Sequence, residues 1–142
     1  MLLAKAAFFT IAGTAGGIIA QLIGGYDQLL RALIVFMAVD FITGWLAAAV
    51  FKSSKKSETG RLSSAAGFRG LIKKGCILLM IVVAVHLDAL LGTGSLTRNA
   101  TIIAFSLNEL LSILENMDCM GIKLPEALTS ALELLGRGEH KK

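Results

Sequence analysis

The chain has 142 residues, 55% of them hydrophobic and 17% charged, with a mean hydropathy of +0.73, a formal net charge of +4 and an isoelectric point near 9.3. A soluble domain of this size has too much surface to cover with so few polar residues, so composition excludes one and points to an all-α integral membrane protein with several spans. The positive charge does not indicate nucleic acid: it is gathered between apolar runs and at the C-terminus, where lipid and topology account for it, and no aromatic and basic residues interleave to stack bases.

The first apolar run, Ala6 to Gly25, is twenty residues without a charge, between Lys5 and Asp27. At the rise of an α-helix it is about 30 Å long, one hydrocarbon thickness. A cleaved signal peptide is the competing reading, but the run is long for one and has no A-x-A ending. Gly13, Gly17, Ala20 and Gly24 fall on one helix face, which is therefore bare and suited to close approach by another helix. Tyr26, Asp27 and Arg31 form a polar turn. The second predicted span, residues 32–51, carries Asp40 near its middle, with Gly44 and Ala48 on the same face.

Residues 52–74 read KSSKKSETGRLSSAAGFRGLIKK, with seven cations (Lys52, Lys55, Lys56, Arg61, Arg69, Lys73, Lys74) against the single acid Glu58. A basic segment between two apolar ones is the pattern of a loop retained on the cytoplasmic face. The third predicted span covers residues 75–91, with Cys76, Met80, Ala84 and Asp88 at i+4 steps and His86 on another face. Two cysteines, Cys76 and Cys119, lie far apart without CxxC or paired histidines, so neither a disulfide framework nor a metal site is expected.

Residues 99–120 differ in kind. Ile103, Leu107, Leu110, Leu114 and Met117 make an apolar stripe, and Thr101, Asn108, Glu109, Ser112, Glu115 and Asn116 fall largely opposite. That amphipathic pattern fits either a fourth span facing water or a helix lying in the interface. Crossing places the basic tail on the side of the basic loop; three spans would leave Lys123, Arg137, Lys141 and Lys142 outside, against the positive-inside rule. Both termini are thus expected in the cytoplasm. Gly121 is placed to end this helix, and a short amphipathic C-terminal helix is expected over 125–135. The chain is read as a single membrane domain of three to four transmembrane helices, residues 1–142.

Counting helix rise from the span ends puts Asp40, His86 and Glu109 at similar depths, each about 15–16 Å in, with Asp88 nearer the outer boundary. Ionisable groups at such depth must face protein or water. The pattern suggests a polar seam of Asp40, His86, Asp88, Asn108, Glu109 and Ser112, with Asp40 to His86 as one candidate contact; static packing of neutral carboxyls is the alternative. No catalytic or cofactor motif is present. Asn99-Ala100-Thr101 matches a glycosylation pattern too short to weigh.

From about Leu33 to Leu135 the chain resembles the small bacterial holins grouped as toxin-secretion/phage-lysis holins. The resemblance rests on DFITG (Asp40, Thr43, Gly44), on LSSAAGFRGLIKK (Ser63, Ser64, Gly67, Gly70, Lys73, Lys74), on Leu87-Asp88, on NELLSILEN (Asn108 to Asn116), and on Gly121 with LPEAL. It implies a homo-oligomer of the bacterial inner membrane, with no catalytic residue, cofactor or metal, that permeabilises the bilayer so that an endolysin or toxin can leave. Gly and Ala faces (Gly13, Gly17, Ala20, Gly24, Gly44, Ala48, Ala84) are then candidate assembly surfaces, and residues 62–70 a close-packed cytoplasmic turn. The rival classes are a non-lytic channel, a transporter subunit relaying protons through Asp40 and Glu109, and an anchor recruiting a partner through the basic loop.

Overall fold

A computed structural model describes residues 1–52, 63–128 and 130. Four α-helices organise them: α1 (Leu2–Leu22), α2 (Gln28–Ala49), α3 (Ser64–Leu91) and α4 (Leu96–Cys119). The described residues contain no strand, so the fold is all-α. Helices α1, α2 and α3 are long and apolar enough to cross a membrane; α4 is not among them. Residues 53–62, the middle of the expected basic loop, and most of the expected C-terminal helix lie outside the described residues, with 126–128 and 130 helical.

Helices α2 and α3 start where the sequence supplies a cap. Asp27 accepts the Leu30 N–H at 2.9 Å and opens α2. Ser63 accepts the Ala66 N–H at 3.4 Å and opens α3. As a result α3 begins at Ser64 rather than Gly75, and Ser64, Gly67 and Gly70, expected in a folded turn, lie with Lys73 and Lys74 of the expected basic loop on a helix continuous with the third span. Dense charge suggests a loop, but Ala, Leu and Lys are good helix formers and no proline interrupts them. At 28 residues, α3 is about 42 Å long and exceeds the hydrocarbon core by about two turns.

The core is formed by Leu30, Leu33 and Met37 of α2, Ile77 and Ile81 of α3, and Ile102 of α4, with Ile23, Leu78, Val85 and Phe105 around them. Helix α4 packs most extensively on α2 and next on α3, while α2 and α3 meet only slightly. The least apolar helix is therefore the wedge that joins the other two. Its inward face is Arg98, Ile102, Glu109, Ile113, Leu114 and Asn116, whereas Ile103 (48% exposed) and Leu107 (37%) face outward. Glu109 and Asn116 thus share the packed face with Leu114, while Ile103 and Leu107 of the apolar stripe lie outside it. Where the surroundings are lipid, apolar residues gain nothing by turning inward and polar ones lose by turning outward.

Helix α1 buries no residue. A Cβ added at Gly13 or Gly17 would meet nothing within 4 Å, so their bare face has no partner among the described residues, and Ala20 is half-buried. Gly24 is different. It has φ +76°, and a Cβ there would stand 2.8 Å from Arg98 Nε and 2.9 Å from Arg98 Cδ. Glycine is required at this position both by the left-handed backbone and by the arginine that lies across it.

Candidate functional site

Two groups of polar side chains sit within the bundle. The first is at the end where the α1–α2 and α3–α4 turns lie. Arg98, 3% exposed, donates from Nε to Ile23 O (2.8 Å), from Nη2 to Gly25 O (2.9 Å), and from Nη1 to Asp27 Oδ2 (2.6 Å) and Asn99 Oδ1 (3.1 Å). The planar fork of a guanidinium suits this gathering of acceptors from one turn. That hydrogen bond, together with the one from the Leu30 N–H, holds the Asp27 carboxyl below its ordinary range. Asp88 completes the group. Its carboxylate accepts the Thr97 N–H (2.9 Å) and the Arg98 N–H (2.8 Å) and a bond from the Thr93 hydroxyl. Ser95 opens α4 without capping it, so a residue of α3 satisfies the free amides of α4 and a negative charge meets the positive end of its dipole.

The second group lies deeper. Lys74 Nζ donates to Asp40 Oδ2 at 2.9 Å and to Glu109 Oε2, joining α3 to α2 and α4. All three side chains are nearly buried, at 12%, 10% and 7% exposure. Asn116 donates to Asp40 Oδ1 (3.0 Å), Asp40 O (3.3 Å) and Thr43 Oγ1 (3.0 Å). Thr43 in turn donates to Val39 O at 2.9 Å, in a bond within its own helix. Charges this deep are tolerable only when paired and hydrogen-bonded. Among the described residues no buried side-chain nitrogen or oxygen lacks a partner.

The expected seam is therefore divided. Asp40 and Glu109 come together through Lys74; Asp88 serves the other group; Ser112 is half-buried and Asn108 exposed. His86 does not reach Asp40. It is exposed, with Nδ1 2.8 Å from Val82 O, and faces a groove shared with Ile18, Gln21 and Leu22 of α1. Gly44 is half-buried, and Ala48 and Ala84 are buried within the bundle. Gly67 and Gly70 face open space, and Ser64 and Lys73 are exposed.

Lys74, Arg98, Thr43 and Asn116 are the residues whose roles the sequence reading missed. One signal was available. Lys74, Ile77, Ile81, Ala84 and Asp88 follow at steps of three and four, and so do Arg98, Ile102, Phe105, Glu109, Ile113 and Asn116. Two stripes of apolar residues punctuated by charged or polar ones mark helix faces that pack on each other.

The model of the bacteriophage holin family matches residues 17–137, which takes in both polar groups and leaves out most of α1. The chain belongs to the bacteriophage holin family. It is 40% identical over 117 residues to an uncharacterised protein of Listeria monocytogenes, covering 82% of this chain and 78% of that one. It is 37% identical over 128 residues to an uncharacterised Clostridium perfringens protein, covering 89% of each. It is 28% identical over 118 residues to a probable holin of Bacillus phage phi105, covering 83% of this chain and 82% of the phage protein. No solved structure matches. A holin-family chain with three helices apolar enough to span is a membrane protein, and the segment that matches the family contains every residue of the two polar groups.

Proposed function

We propose that the chain is a holin-like pore former: it accumulates in the bacterial inner membrane, associates with copies of itself and permeabilises the bilayer, so that an endolysin or a toxin is released. The observation that carries this reading is the Asp40–Lys74–Glu109 cluster with Asn116 and Thr43, polar groups set within helices that otherwise present apolar surface to lipid. Turned toward a water-filled gap between protomers, these side chains would be solvated instead of being exposed to hydrocarbon. Family membership and the phage probable holin support the same reading.

On this reading α4 crosses with the rest. It runs along α2 from the Arg98–Asp27 pair at one end to the Asn116–Thr43 bond at the other, with Leu96, Ile103 and Leu107 outward. The basic segment 52–74 and both termini then lie in the cytoplasm, by the positive-inside rule, and the Arg98 group faces the outer side. The bare face of α1, without a partner among the described residues, is available to a second copy.

The experiment is induced expression in a bacterium together with a cytoplasmic cell-wall hydrolase, following membrane potential and hydrolase release. Collapse of potential and lysis at a reproducible time are expected. Continued growth with intact potential at high membrane abundance would overturn the reading.

A further inference from the structure

We propose that Lys74 is the pin of a closed state, an autoinhibitory ion pair that keeps the bundle folded around its own polar groups until its ammonium leaves. The inference rests on the pore-forming reading and adds to it what holds the pore shut. Three observations carry it. First, α2 and α3 barely touch, so the Lys74–Asp40 pair is a principal tie between them, and the same ammonium also reaches Glu109 on α4. Second, α3 has a second attachment, the Asp88 carboxylate on the α4 N-terminus, fourteen positions further on and about 21 Å away along the helix. Third, the helix carrying Lys74 runs back without interruption to Ser64, about 15 Å beyond the pin on the loop side.

Those features make a lever. With Asp88 as the hinge and Lys74 as the catch, movement of the Ser64 end of α3 withdraws the ammonium and uncovers Asp40 and Glu109 together. Without the ammonium that joins them, the two carboxylates repel each other and are better met by water. Lipid cannot meet that need, but a gap between protomers can. The closed chain is stable in hydrocarbon because the cluster is satisfied internally, and the unpinned chain is driven toward a wet assembly by the same charges. Arg98 at the far end is not part of the catch, since it grips the α1–α2 turn and leaves the separation of α3 from α2 at Lys74 free to occur.

The test compares onset of depolarisation at matched membrane abundance. Lys74→Glu removes the catch and adds a third acid; the abundance at which potential collapses should fall roughly 10-fold. The double variant Lys74→Glu with Glu109→Lys puts an ammonium back among carboxylates from α2 and α3, and should restore wild-type onset. An unchanged onset in Lys74→Glu, or a double variant that triggers as early as the single one, overturns the pin. A second pair of substitutions covers the case in which Lys74→Glu does not accumulate. Lys74→Gln removes the cation while keeping a hydrogen-bond donor, and should also lower the abundance at onset, whereas Lys74→Arg keeps the cation and should leave onset near wild type. Onset in Lys74→Gln equal to that in wild type overturns the pin, whereas a wild-type chain that never depolarises cells overturns the pore reading and the pin with it.

Discussion

Gly24→Ala isolates the contribution of the Arg98 clasp. The new Cβ would stand 2.8 Å from Arg98 Nε, 2.9 Å from its Cδ and 3.1 Å from Val85 Cγ2, on a backbone at φ +76°. The left-handed conformation costs an alanine about 1–2 kcal/mol. Relieving the contact requires the guanidinium to withdraw from Ile23 O, 2.8 Å away, and loss of a charged hydrogen bond costs about 1.5–3 kcal/mol. Together the loss is roughly 2.5–5 kcal/mol. Gly92→Ala is the matched control, because Gly92 has φ +66° and nothing within 4 Å of its virtual Cβ, so it bears only the backbone cost of about 1–2 kcal/mol. Both substitutions reduce the freedom of the unfolded chain equally, and that effect cancels in the difference. Denaturation in detergent micelles, followed by helical circular dichroism, should show Gly24→Ala less stable by about 2 kcal/mol. Equal losses in the two variants would refute the clasp.

Asp88→Ala should destabilise the protein by about 2–4 kcal/mol in the same assay, since it removes the cap of α4 and leaves the Thr97 and Arg98 amides unpaired, while Asp88→Asn should cost less by retaining one acceptor. His86→Phe should change stability by less than about 0.5 kcal/mol, because the ring is exposed and bonded only within its own helix turn; a large loss would mean that it joins the polar cluster. Acid should act on the clasp through Asp27. Its carboxyl is held below the ordinary aspartate value of 3.8 in the folded chain, so its contribution is complete above that pH and is lost as pH falls through the lower folded value. Stability measured from neutral pH downward should accordingly stay level until about pH 4 and then decline, and Asp27→Asn should flatten that decline.

The sequence made the spans legible because apolar runs of about twenty residues between charges have few other uses, and the family was legible in ordered motifs from DFITG to LPEAL. Asp40 and Glu109 could be picked out as buried because carboxylates so deep need a reason. Their partner could not, since Lys74 stands last in a basic run and reads as solvated charge; only the continuation of α3 back to Ser64 turns it inward. The α4 stripe left its packed face open for a related reason. In water an apolar stripe marks the packed face, but beside lipid Ile103 and Leu107 can face outward while Glu109 and Asn116 turn in. Arg98 was hidden because its acceptors, Ile23 O and Gly25 O, are backbone atoms some 70 positions away that no residue pattern announces.

The most direct measurement of the central claim is release of an encapsulated dye from anionic lipid vesicles into which the purified chain is incorporated at increasing density. The account predicts sealed vesicles at low density and abrupt release above a threshold, with the threshold lowered by Lys74→Glu and restored by adding Glu109→Lys. Vesicles that stay sealed at every density, with the protein fully incorporated, would contradict it.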